Sequence, residues 1–83
     1  MSEANYQSKI IKDYERRGYY VLKLIKTNKN GIPDLLALKV GELPEFIEVK
    51  DVNGVESKLQ KYRIKELKKH GFKARFDRKT ITN

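Results

Sequence analysis

A helical segment separates the last two of four predicted strands, and this order restricts the possible folds more than any other feature of the sequence. Residues 56–69 carry apolar side chains at helical spacing, and Gly71 follows as a stop signal. Strand-like segments flank this helix at residues 45–49 and 72–76. A strand, helix and strand connected in this way normally make a right-handed parallel crossover within one sheet.

The N-terminal part of the chain predicts a first helix over residues 4–17. Tyr6, Ile10 and Tyr14 recur at i, i+4 and i+8 and form one apolar stripe. Ser2 is a suitable N-cap for this helix, because its hydroxyl can accept a hydrogen bond from an early backbone N–H.

Two further strands are predicted between the first helix and the strand at residues 45–49. Residues 19–25 are rich in aromatic and β-branched side chains, and residues 35–40 are mostly apolar. The short turn at residues 41–44 makes the second and third strands antiparallel neighbours. The predicted order is therefore α-β-β-β-α-β, an α/β fold in which a four-stranded mixed sheet carries a helix on each face.

The size of the chain predicts one domain over residues 1–83. The sequence has no cysteine and one histidine, His70, which argues against a zinc site and against a disulfide framework. Any metal would be held by oxygen ligands, which favours Mg²⁺ or Mn²⁺. No apolar run is long enough to span a membrane and no signal-peptide pattern is present, so we expect a soluble, cytoplasmic protein.

The net charge of +8 is confined to the last third of the chain. Residues 1–56 contain nine basic and nine acidic side chains, whereas residues 57–83 contain ten basic and two acidic ones. Such asymmetry favours a polyanionic partner, most simply a nucleic acid. The alternative is an ordinary solvated helix face.

Two short segments place two carboxylates and an amine on neighbouring predicted strands. Pro33 directs Asp34 into the start of the second strand. On the third strand, Glu48 and Lys50 are two residues apart, so their side chains leave the same face. Neighbouring strands lie about 4.8 Å apart, which allows the two carboxylates to share a hard cation. The backbone carbonyl of Val49, between the two functional side chains, is a candidate additional ligand.

This set of residues is suited to phosphodiester hydrolysis. A bound cation lowers the pKa of a water molecule and neutralises oxygens on phosphorus, and a lysine beside it can hydrogen-bond the attacking water and add positive charge. The alternative for Glu48 and Lys50 is a solvent-facing salt bridge without catalytic function. The alternative for Pro33-Asp34 is an ordinary turn. Both segments occurring in this order, with a basic helix after them, favours a nuclease over either alternative.

The same residues resemble the PD-(D/E)xK nuclease superfamily, most closely its VRR-NUC branch in the small stand-alone bacterial and phage type. The resemblance covers nearly the whole chain and rests on Glu3 in the first helix, the segment from Gly31 to Leu35, the segment from Ile47 to Lys50, and Gln60 early in the second helix. In this family an aromatic residue typically follows that glutamine at three positions. Here the position holds Arg63, and Tyr62 lies one residue earlier.

The resemblance implies a restriction-endonuclease-like core and Mg²⁺- or Mn²⁺-dependent hydrolysis of DNA. It implies Asp34 and Glu48 as metal ligands, Lys50 as the catalytic lysine and Gln60 as an active-site residue. It also implies Glu3 as a further catalytic residue and a candidate additional metal ligand. A similar layout in archaeal Holliday-junction resolvases implies junction or other branched DNA as substrate, and small members of this type are expected to act as homodimers. The alternative for Glu3 is a favourable charge at a helix N-terminus.

Four lysines near these segments are candidate DNA contacts: Lys26 and Lys29 before Asp34, and Lys58 and Lys61 around Gln60. Two further functions stay open at this point. One is a basic module that binds nucleic acid without cutting it, and the other is an assembly protein that docks through charge.

Overall fold

The computed structural model describes residues 2–81, and residues 1, 82 and 83 of the predicted domain lie outside the described part. The elements are α1 (Glu3–Arg16), β1 (Tyr20–Lys23), β2 (Leu35–Leu38), β3 (Glu45–Lys50), α2 (Lys58–Lys69) and β4 (Lys73–Arg78). This order confirms the predicted α-β-β-β-α-β succession. Neither helix has the length and apolar character required to cross a membrane, as judged over residues 2–81.

The four strands form one mixed sheet in the order β1-β2-β3-β4. β1 pairs antiparallel with β2, and β2 pairs antiparallel with β3, with Leu35 opposite Ile47. β3 and β4 are parallel, with Glu48 opposite Phe76. The crossover through α2 thus produces the parallel pair that the sequence predicts.

The hydrophobic core lies between α1 and one face of the sheet. Ile10 and Tyr14 of α1 pack with fully buried side chains of β2 and β3, among them Leu35, Ile47 and Val49. Ser2 caps α1 as predicted, because its side chain accepts a hydrogen bond from the backbone N–H of Asn5.

A polar network continues the α1 interface towards β4. Arg75 pairs with Asp77 and Glu45, and it also donates a hydrogen bond to the Tyr14 hydroxyl. The Tyr6 hydroxyl donates a hydrogen bond to Asp77. Burial together with this hydrogen bond raises the pKa of Tyr6 to about 12. The polar side of the last strand is therefore engaged by α1.

The second helix covers part of the opposite face. Residues 46, 48 and 50 of β3 alternate with the core residues and so belong to this face. Gln60 of α2 contacts Glu48, and Ile64 of α2 is buried. With α1 on the other face, this arrangement confirms the predicted helix on each side of the sheet.

Several predicted boundaries differ from the structure, each for a local reason. α2 begins at Lys58 and not at residue 56, because Ser57 is its N-cap. β1 ends at Lys23 and not at residue 25. Two residues further on, its register would place Ile25 opposite Pro33, which has no N–H to donate. β2 stops at Leu38 where the turn begins, and β4 runs on to Arg78 because β3 continues beside it.

Candidate active site

Asp34 is placed by a loop that is held from both sides. Gly31 has a positive φ of 80°, and Pro33 is almost fully buried. Asp34 then lies at the entry to β2, where its backbone oxygen accepts a hydrogen bond from Leu24 of the neighbouring chain segment at 2.7 Å. Its carboxylate Oδ2 accepts a hydrogen bond of 3.1 Å from the backbone N–H of Val49. The acid is thereby tied to β3 across the gap between the strands.

Glu48 and Lys50 form a buried ion pair on β3. Glu48 is 4% exposed and Lys50 is 8% exposed, and Lys50 Nζ lies 3.6 Å from Glu48 Oε2. Continued by one residue, the register between β2 and β3 puts Asp34 opposite Glu48. The pair is therefore buried and is not a solvent-facing salt bridge. It brings two carboxylates and one ammonium together at the end of two strands.

The carboxylates of Asp34 and Glu48 repel each other. Burial, followed by the charge of Asp34, raises the pKa of Glu48 to about 7, and Lys50 offsets only part of that rise. A buried carboxylate facing another carboxylate is stabilised by an additional cation. The site consequently favours a bound positive ion.

Gln60 reaches Glu48 because the start of α2 orients its amide. Gln60 Oε1 accepts from the backbone N–H of Ser57 at 3.0 Å, while Ser57 Oγ accepts from the backbone N–H of Gln60 at 3.1 Å. This reciprocal capping box leaves the amide NH₂ to donate to Glu48 Oε2 at 3.3 Å. The pattern Ser57-x-x-Gln60 is visible in the sequence and would have predicted both the helix start and this orientation.

The backbone of Val49 faces Asp34. In an antiparallel pair, the N–H and C=O of one residue point to the same neighbouring strand. Because the Val49 N–H donates to Asp34, its carbonyl is directed to the same side of β3. The use of that carbonyl as a metal ligand stays a prediction.

Glu3 contacts the backbone of the loop that follows β3. Its Oε2 accepts a hydrogen bond of 3.1 Å from the backbone N–H of Asp51, the residue after Lys50. Within residues 2–81, no group of three or more His, Cys, Asp or Glu side chains is arranged to hold a metal ion. The described site therefore offers Asp34 and Glu48 as its acidic pair, and participation of Glu3 stays a prediction.

The four predicted DNA-contacting lysines are exposed and lie in two places. Lys26 and Lys29 line a cavity of about 210 Å³ in the loop that leads from β1 to Asp34. Lys58 and Lys61 line a groove of about 250 Å³ on α2. Only the first pair belongs to the segment that positions Asp34.

Two arginines with no predicted role hold the loops around the site. Arg78 donates to the carbonyls of Asp51 and Val52, at 2.9 and 3.2 Å, in the loop after β3. Arg63 donates to the carbonyl of Asn30 at 2.9 Å in the loop before Asp34. Neither contact follows a short sequence pattern, because each joins segments more than 25 residues apart.

Comparison with known proteins agrees with the fold described above. A sequence profile of the VRR-NUC domain matches residues 1–76. Among solved structures, a chain described as a VRR_NUC domain aligns with a TM-score of 0.79 and 28% sequence identity, covering 94% of this chain and 84% of that chain. No curated protein gave a significant match. The similarity therefore extends over both helices and all four strands.

Proposed function

The chain belongs to the VRR-NUC family of nuclease domains, and from this premise we propose that it is a Mg²⁺- or Mn²⁺-dependent endonuclease that hydrolyses phosphodiester bonds of DNA. One observation carries the proposal. Glu48, buried and facing Asp34, is contacted by both Lys50 and Gln60, so three other predicted site residues meet at its carboxylate.

The donor set fits a hard divalent cation. Asp34, Glu48 and the carbonyl of Val49 would hold the ion through oxygen atoms, as Mg²⁺ and Mn²⁺ prefer. Burial, and after it the charge of Asp34, raises the pKa of Glu48, and a bound cation would stabilise the charged carboxylate against both effects. When bound, the ion would supply an activated water and charge neutralisation at phosphorus.

The remaining residues would orient the reactants. Lys50 provides a positive charge from its ammonium, within a buried surrounding where such a charge acts strongly on a phosphate oxygen. Gln60 holds Oε2 of Glu48 and keeps that carboxylate in place. Glu3 accepts a hydrogen bond from the backbone N–H of Asp51, the residue after Lys50. This contact is proposed to support the end of β3.

The substrate path is proposed to run over the loop before Asp34 and the start of α2. Lys26 and Lys29, in the loop before Asp34, would contact phosphates flanking the scissile bond. The similar layout of junction resolvases supports branched DNA, such as a four-way junction, as the preferred form.

We further propose that two copies act together as a homodimer. β1 is an edge strand, and its residues Tyr20 and Leu22 share the sheet face of Phe46 through their register with β2 and β3. They are 68% and 38% exposed. An exposed apolar row on an edge strand favours association with a second chain. Analytical ultracentrifugation of the wild type and of Tyr20→Lys tests this: the wild type should sediment as a dimer and the variant should shift towards the monomer.

Cleavage of labelled DNA decides the function. A four-way junction and a linear duplex of the same arm sequence are incubated with Mg²⁺, with Mn²⁺ or with EDTA. Wild type should cut with metal only, and Lys50→Ala and Asp34→Asn should bind DNA without cutting it. Asp13→Asn, in an exposed pair with Arg16 on α1, is the matched control and should cut as wild type does.

The alternative function has its own signature in the same experiment. If wild type binds every DNA form but cuts none in either metal, the chain is a binding module and the nuclease proposal fails. Steep loss of affinity with salt, independent of metal, would accompany that result.

A further inference from the structure

A row of lysines surrounds an exposed tyrosine on the side of α2 that faces away from the sheet. The row, here named the outer face, comprises Lys58, Lys61, Tyr62, Lys65 and Lys69. Its members recur at helical spacing, whereas Gln60, Ile64 and Leu67 form the stripe turned to the sheet. From residue 58 to residue 69 the row is about 16 Å long at 1.5 Å per residue.

The lysines of this face are not neutralised by the protein. Across residues 2–81 none of the four takes part in an ion pair, and Glu66, the one acidic residue of α2, pairs with Arg63 at 3.0 Å. Like charges one turn apart on a helix are destabilising. A polyanion would relieve this repulsion, so the face is electrostatically suited to a chain of phosphates.

Tyr62 gives the outer face a second kind of contact. Its side chain is 57% exposed and lies between two grooves, one of about 250 Å³ towards Lys58 and one of about 350 Å³ towards Lys69. The guanidinium of Arg63 lies 5.5 Å from the ring centre and is itself fixed by Asn30 and Glu66. An immobilised positive charge therefore lies beside the exposed ring.

We propose that the outer face of α2 is a second nucleic-acid surface, which binds an unpaired segment of strand. The lysines would contact successive phosphates, and Tyr62 would stack on a base, a combination that proteins use for single strands. Because this face is on the side of α2 away from Gln60, the segment it holds is not the one at the carboxylate pair. The inference rests on the proposed function for the kind of partner, but not for cleavage.

Binding in EDTA tests the surface without any cutting. Fluorescence anisotropy compares a duplex that carries a single-stranded arm with a blunt duplex of the same length. Tyr62→Ala should weaken binding of the armed duplex at least about fivefold, from the lower value for stacking on one base, and leave the blunt duplex within about twofold. Tyr62→Phe, which keeps the ring, should restore most of the loss.

The charge row has its own measurement and control. Lys65→Ala/Lys69→Ala should reduce the slope of log K against log salt by about 1.4 on the armed duplex, at about 0.7 per phosphate contact to a single strand. The matched control is Lys9→Ala/Lys12→Ala, which removes two exposed lysines from α1 and should leave that slope unchanged. A slope for the test pair equal to that of the control overturns the proposal.

A substrate change keeps the test valid even if a variant unfolds. Removing the bases from the single-stranded arm should weaken its binding to wild type as much as Tyr62→Ala does. Equal binding of abasic and intact arms overturns the stacking role, and equal losses on armed and blunt duplexes show a surface for duplex backbone instead. Cleavage by Asp34→Asn would refute the proposed nuclease site without altering these binding results.

Discussion

Titration of Glu48 should control the stability of the metal-free protein. Its folded-state pKa of about 7 lies above the value of about 4.3 expected in an unfolded chain, so the folded state binds the proton more tightly. Glu48 therefore makes its full contribution to the free energy of unfolding below about pH 4, and this contribution is lost as the pH rises through about 7. Each pKa unit corresponds to about 1.36 kcal/mol, so the free energy of unfolding should fall by about 3 kcal/mol over this range.

The measurement is urea unfolding in EDTA at several pH values between about 4 and 8. The difference in unfolding free energy between wild type and Glu48→Gln isolates this group, since all other ionisable residues are common to both proteins. Glu42→Gln, at an exposed turn, is the control and should follow the wild-type curve. Asp34→Asn should reduce the loss without abolishing it, because burial is the larger cause of the raised pKa.

One result would refute this reasoning. If wild type and Glu48→Gln lose stability in parallel between about pH 4 and pH 8, the carboxylate is not buried against Asp34 in the folded protein. The two acids would then have no electrostatic requirement for a cation between them.

Three further outcomes follow from the same structure. Gly31→Ala should lower the free energy of unfolding by roughly 1–3 kcal/mol in urea titration, because φ is +80° and the added Cβ would lie 2.7 Å from Leu59; unchanged stability would contradict the loop geometry. Lys26→Ala/Lys29→Ala should reduce the salt slope of duplex binding by about 2, and an unchanged slope would remove this loop from the DNA path. Mg²⁺ or Mn²⁺ should raise the melting temperature of wild type but not of Asp34→Asn, and an equal rise in both would place the ion elsewhere.

Much of the fold could be predicted because its determinants are local. The apolar stripe of Tyr6, Ile10 and Tyr14 predicted α1, and the alternation in β3 placed Glu48 and Lys50 on one face. The helical crossover between β3 and β4 determined their parallel direction. These features depend on spacing over a few residues, which a single sequence displays.

The support around the site could not be predicted in the same way. The hydrogen bonds of Arg63 and Arg78 to loop carbonyls depend on how distant segments pack. The position of Glu3 against Asp51 joins residues 48 apart and likewise has no local signature. By contrast, the pattern Ser57-x-x-Gln60 predicts the capping role of Gln60. A helix predicted to start at residue 56 places Ser57 inside the helix and so excludes it as the N-cap.

The hairpin of β2 and β3 has a consequence for how the protein folds. Asp34 and Glu48 are brought together by two strands with a short turn, residues 39–44, between them. Such local pairing forms readily in a folding transition state, before distant elements dock. The two negative charges would then oppose each other during folding, so raising the pH should slow the folding arm of a chevron plot more than it accelerates the unfolding arm. A divalent cation held by both acids, as proposed, should offset this repulsion and speed the folding arm.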